Sequence, residues 1–193
     1  DGTGGGVASN YNLLTQPSVA NADLTTRDVT LTGITASNKV YDGDTDATLI
    51  LTGGAIATGI MGETLTFANA VGNFDNKNAA NGIGVLVTST TLEDGTGGGV
   101  ASNYNLLNQP SVANADITAR DVIITGITAS NKIYDGITDA TLVLTDGAID
   151  TGITGETLTF ANAVGAFDNK NAANAISVLG TSTTLEDGTG GGV

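Results

Sequence analysis

Apolar and polar positions alternate in short runs along this chain. Residues 28–32 read Asp-Val-Thr-Leu-Thr, 47–52 read Ala-Thr-Leu-Ile-Leu-Thr, and 63–67 read Glu-Thr-Leu-Thr-Phe. Gly, Asn or Asp bounds each run, which is the signature of strands separated by turns. The pattern predicts about seven strands per repeat, near residues 24–32, 36–41, 47–52, 55–60, 63–70, 82–92 and 101–107. Runs recurring roughly every 8–12 residues point to a sandwich or barrel. No apolar stripe of 3.6-residue period reaches helical length. Asn81-Gly82 reads as a type I′ hairpin turn, because both residues tolerate positive φ. The expected fold is all-β.

The same pattern returns at a fixed interval. Asp-Gly-Thr-Gly-Gly-Gly-Val stands at residues 1–7, 94–100 and 187–193, a period of 93 residues. Laid over one another, residues 1–100 and 94–193 differ at 15 positions. A period this long exceeds the roughly 20–45 residues of solenoid repeats and fits a small autonomous module. The two prolines, Pro17 and Pro110, lie one period apart and read as short stiff connectors, since proline fixes φ and cannot donate to a ladder. The expected organisation has three parts. Residues 1–22 are the closing strand of a preceding repeat plus a linker, and residues 23–115 are a complete repeat. Residues 116–193 are a second repeat without its closing strand.

Composition narrows the chemistry. The chain has 193 residues, six cations against 20 carboxylates, and a formal net charge of −14. That balance argues against a nucleic-acid partner, which needs a basic footprint. No apolar run approaches the ~20 residues of a spanning helix, so no membrane insertion is expected. Cys and His do not occur, which removes thiolate nucleophiles, imidazole bases and zinc sites built from them.

Three motifs carry a family resemblance. Ala36-Ser-Asn-Lys-Val-Tyr-Asp-Gly43 precedes Asp-Thr-Asp-Ala-Thr-Leu, and its copy runs from Ala129 to Gly136. Phe74-Asp-Asn-Lys-Asn78 and Asn10-Tyr-Asn-Leu13, the latter before Gln-Pro, complete the set. This order resembles the YDG-type tandem repeat of bacterial surface proteins, including filamentous-haemagglutinin-like adhesins, over essentially the whole period. The resemblance implies an exported, all-β stalk module at the bacterial cell surface, with no catalytic activity. Its motif residues are Tyr41, Asp42 and Gly43, with Tyr134, Asp135 and Gly136 in the second copy. Tandem Ig-like β-sandwich modules are the expected architecture, with β-grasp-like modules as the alternative.

Asp42, Asp44 and Asp46 alternate like the start of a calcium loop. The twelfth position of such a loop is Gly53, and Ile137 replaces the middle carboxylate in the second copy, so an Asx-type turn is preferred and no cofactor is expected. Lys77 near Asp75 and several Asn could cross-link, against a solvated loop charge as the plainer reading. The glycines of residues 95–99 lack the Lys-Ser/Thr of a phosphate loop and read as a bulged turn. Tyr11 and Tyr104 are expected to cover the module end, each hydroxyl reaching a backbone partner.

The leading functional expectation is a structural segment of an extracellular fibre or adhesin stalk, not an enzyme, whose partners are copies of itself or neighbouring repeats placed head to tail. The closing strand comprises Ala8, Ser9, Asn10, Tyr11, Asn12, Leu13 and Leu14, with Tyr104 and Leu106 in the second copy. If the first of these were donated between chains, it would complete the repeat that starts at Asp116. The alternative is an adhesive module binding a glycan or host protein that the sequence does not specify.

Overall fold

A computed structural model describes residues 3–190. The chain is all-β: among the described residues the only helical elements are two single 3₁₀ turns, Ala8–Asn10 and Ala101–Asn103.

The first repeat is built from β1 (Arg27–Val29), β2 (Leu31–Thr32), β3 (Thr35–Ala36), β4 (Lys39–Val40), β5 (Asp46–Ala47), β6 (Leu49–Ile50), β7 (Ala55–Ile56), β8 (Leu65–Phe74), β9 (Ala80–Asp94), β10 (Tyr104–Leu106) and β11 (Ser111–Thr118). The long β8–β9 hairpin is its frame. Around it runs a five-stranded sheet in the order β4-β11-β9-β8-β5. Three antiparallel or parallel bridges, β2–β7, β3–β6 and β1–β10, curl the remaining chain over this sheet. The β1–β10 and β4–β11 pairs are parallel.

Several expected elements are corrected. The runs at 24–32 and 36–41 divide into two-to-three-residue bridges, interrupted at Thr30 and at Ser37-Asn38, and Gly33, with φ 82°, turns the chain between the two runs. The expected strand 101–107 opens as the 3₁₀ turn Ala101–Asn103 and is extended only over β10. Asn81-Gly82 is no hairpin turn: β8 and β9 are joined by residues 75–79, where the Asn76 side chain accepts from the Asn78 amide at 3.0 Å. Gly82 lies within β9 at φ 66°, at a break in the β9–β11 register, so it forms a bulge. The largest correction concerns Pro110. The residues after it are β11, paired antiparallel with β9 and parallel with β4, rather than a connector. Pro110 itself is buried and stands just before the strand, where its missing N–H disturbs no ladder.

Two small cores result. Phe74, Ile83, Val85, Ala115 and Ile117 form one, and Val29, Leu65 and Tyr104 form the other. The closing segment therefore contributes to both: β11 supplies Ala115 and Ile117, and β10 supplies Tyr104.

The second repeat contains β12 (Ile124–Thr125), β13 (Thr128–Ala129), β14 (Asp139–Ala140), β15 (Leu142–Val143), β16 (Ala148–Ile149), β17 (Leu158–Phe167) and β18 (Val178–Asp187). Its sheet has three strands, β14-β17-β18. The differences from the first repeat follow one rule. Residues 120–122 and 132–133, the copies of β1 and β4, are not strands. β18 begins at Val178, five residues beyond Ala173, which is the counterpart of Ala80 at the start of β9. Each of these stretches is a partner of β10 or β11 in the first repeat. Without such a partner the ladder does not form there. Among the described residues, every buried large apolar side chain accordingly lies between Val29 and Ile117.

Candidate functional site at the joint between repeats

The Tyr-Asp-Gly motif follows β4 and faces the second repeat. The Tyr41 hydroxyl donates to the Glu156 carboxylate, at 2.7 and 2.9 Å to its two oxygens. The Lys77 ammonium reaches the same carboxylate at 2.8 Å. Only 7% of the Glu156 side chain is exposed, so its charge is held by these two donors rather than by water. The Lys77 hydrogen bond, then that of Tyr41, holds the Glu156 carboxyl below its ordinary value. Reciprocally, Glu156 raises Lys77. Burial, then the contact with Glu156, raises the Tyr41 phenol.

Asp42 points the other way. Lys39 lies between the Asp42 and Asp44 carboxylates at 2.6 and 2.7 Å, with its ammonium 5.7 Å from the centre of the Phe74 ring. Burial opposes the charge on Lys39, but hydrogen bonds and charge from Asp42 and Asp44 outweigh it and raise its pKa. Lys39 and the Asp46 amide hold Asp44 below its ordinary value. The motif aspartate thus fastens the loop to the core edge. Gly43 has φ 90°, and a Cβ added there would stand 2.9 Å from Ile153 Cγ2 in the second repeat. The three motif residues divide the work: the tyrosine reaches the next repeat, the aspartate fixes the loop, and the glycine permits close approach.

The second copy shows what depends on a following repeat. Lys132 still pairs with Asp135 at 2.8 Å and still lies 5.7 Å from a phenylalanine ring, Phe167. Lys132 and the Ile137 amide hold Asp135 low. Tyr134, by contrast, is 60% exposed, and a Cβ on Gly136 would meet nothing within 4 Å. The Lys–Asp half of the motif is the same in both copies; the Tyr–Gly half is engaged in the first copy and exposed in the second.

The remaining expected site residues fall in several places. Asp42 and Asp44 share Lys39, while the Asp46 carboxylate accepts from Asn73 at 3.3 Å, so the three calcium candidates do not converge on one point. Lys77 is engaged by Glu156, not by an asparagine. Tyr104 is buried, and its hydroxyl donates to the Glu63 carboxylate, not to a backbone group as expected. That hydrogen bond, then burial, raises the Tyr104 phenol. β10 pairs with β1 in the register Arg27–Tyr104, Asp28–Asn105, Val29–Leu106. Its first copy keeps the 3₁₀ turn, at Ala8, Ser9 and Asn10, but belongs to no strand: Tyr11, Asn12, Leu13 and Leu14 are exposed, as is Pro17. The turn 95–99 is ordered by the Gly95 amide donating to the Gly99 carbonyl and by the Thr64 amide donating to the Thr96 carbonyl, both at 3.0 Å.

Glu63 and Glu156 are the functional residues that sequence reasoning missed. They occupy the same place in the two repeats, one bound by the closing-strand tyrosine and the other by the motif tyrosine. The available signal was their retention beside Thr-Leu-Thr-Phe in both copies.

The chain is a tandem pair of all-β repeat modules, with β11 leading from the first into the second and the half-buried carboxylate of Glu156 gripped from across the boundary. The YDG domain family matches residues 25–113 and 118–192, and the chain belongs to that family. No curated protein and no solved structure matches it.

Proposed function

We propose that the chain is a structural segment of the shaft of a bacterial extracellular fibre or adhesin, in which successive repeats are locked head to tail. One observation carries this reading: Tyr41 and Lys77 of one repeat converge on the shielded Glu156 of the next. A flexible tether has no use for a desolvated carboxylate gripped from across a module boundary, because such a group is costly unless its partners stay in place. β11 adds to the lock. It completes the sheet of the first repeat and leads directly into the second, so the connection has little slack. Of the two architectures expected for the module, the parallel pairs β1–β10 and β4–β11 favour the β-grasp-like one over an Ig-like sandwich built from antiparallel sheets.

A shaft acts at the cell surface, and the negative charge of the modules keeps neighbouring copies apart. Immunogold labelling of intact source cells with an antibody raised against this chain tests the assignment. Label along surface fibres is expected; label confined to the cell interior would contradict it.

A further inference from the structure

Two stretches of the first repeat run side by side in the same direction. Residues 27–40 carry β1 to β4, and residues 104–118 carry β10 and β11. At one end β1 pairs parallel with β10, with Arg27 opposite Tyr104. At the other β4 pairs parallel with β11, with Val40 opposite Thr118. Hydrogen bonds outside these ladders follow the same course. The Leu107 amide donates to the Val29 carbonyl at 3.1 Å, and the Tyr41 amide donates to the Thr118 carbonyl at 2.9 Å. The Asn105 side chain donates to the Asp28 carboxylate at 2.9 Å, and the Asp116 amide donates to the Asn38 side chain at 2.8 Å. The first of these side-chain pairs spans 77 positions and the second 78, so the two stretches stay in step from end to end.

Tension along the chain enters this repeat at Thr26 and leaves it at Ala119. It draws residues 27–40 toward their N-terminal end and residues 104–118 toward their C-terminal end. Because the stretches are parallel, the two pulls oppose each other along the strand direction. The bonds between strands cross that direction, so they are strained together rather than one after another. Sliding would also withdraw Val29, Leu31, Ile34, Ala115 and Ile117, each no more than 3% exposed, from their buried places. Residues 41–103, the β8–β9 hairpin among them, form a loop that carries no tension until these contacts break. We propose that residues 27–40 and 104–118 form a mechanical clamp that keeps the repeat folded when the chain is stretched. The clamp deepens the shaft reading and rests on it only for the source of the tension.

The absence of cysteine from the sequence lets two introduced thiols fix the points of pulling in optical tweezers. The full chain carrying Thr26→Cys and Ala119→Cys is pulled so that the two stretches shear. The full chain carrying Thr26→Cys and Asn103→Cys is pulled from one end of the β1–β10 pair, which peels open bond by bond. All three positions are exposed, and circular dichroism unchanged from the parent shows that the fold is intact. Forced unfolding reports the unfolding rate, so the shear geometry is expected to rupture at a force at least about twofold above the peeling geometry at one loading rate. Asn38→Ala removes an exposed bridge across the clamp. It should lower the shear force and leave the peeling force unchanged, since peeling opens at Arg27 before Asn38 is reached. Equal rupture forces, gradual extension without rupture in shear, or an Asn38→Ala effect that is absent or the same in both geometries would each overturn the proposal. None of those results bears on the immunogold labelling, and label confined to the cell interior would remove the tension without changing the rupture forces.

Discussion

Glu156 and Lys77 illustrate how much of this molecule depends on single side chains. The Glu156 carboxyl lies below its ordinary 4.5 and the Lys77 ammonium above its ordinary 10.5. A lowered acid contributes fully above its unfolded value, and the contribution is lost as pH falls through the folded value. A raised base contributes below its unfolded value and is lost as pH rises through the folded one. The joint is therefore complete at neutral pH and loosens on acidification below 4.5. An NMR titration of the Glu156 carboxyl carbon is expected to show a midpoint under 4.5; a midpoint at or above it would mean that Lys77 and Tyr41 do not hold the group in solution. Ala175 offers a second test at this scale. A non-glycine residue at positive φ is strained, and alanine has no side-chain polar group to offset that. Ala175→Gly should stabilise the protein by about 1 kcal/mol in urea unfolding, and Gly82→Ala should destabilise it by a similar amount.

At the scale of elements, β10 and β11 decide whether a repeat is complete. Ile117 is 1% exposed and Leu24, its counterpart one period earlier, is 100% exposed. Ile117→Ala should cost about 2–5 kcal/mol, the range for truncating a buried aliphatic side chain. Leu24→Ala should change the stability of the dilute chain by less than about 0.5 kcal/mol, as exposed substitutions do. Equal effects in denaturant titrations would contradict the assignment of β11 to the core. The alternating runs of the hairpin β8–β9 were legible in the sequence because Thr-Leu-Thr-Phe and the residues near Val85 repeat every second position, which is the local geometry of a strand. β11 was not. Its first six residues, Ser-Val-Ala-Asn-Ala-Asp, hold one β-branched residue and follow a proline, so their extended form comes from partners distant in the chain, Gly82 and Asn38 among them. Strand character of that kind is conferred by the sheet and leaves little trace in the segment itself.

At the scale of the whole molecule, the two repeats differ less in sequence than in the strands that flank the hairpin among the described residues. The first is closed by its own following residues and buries two cores; the second retains the hairpin and the Lys132–Asp135 pair. The 93-residue period made the tandem order readable, and the retained Tyr-Asp-Gly marked the motif. The role of that motif was hidden because its tyrosine meets a residue 115 positions away, and no local pattern announces a contact across a module boundary. An account built on that contact predicts one preferred orientation between repeats. Spin labels at Met61→Cys and Thr154→Cys, two exposed positions one period apart, report this directly by pulsed electron double resonance. A narrow distance distribution at neutral pH, broadened by Glu156→Gln, is the expected result. A distribution already broad in the parent protein, or one unchanged by Glu156→Gln, would show that the repeats are tethered rather than locked.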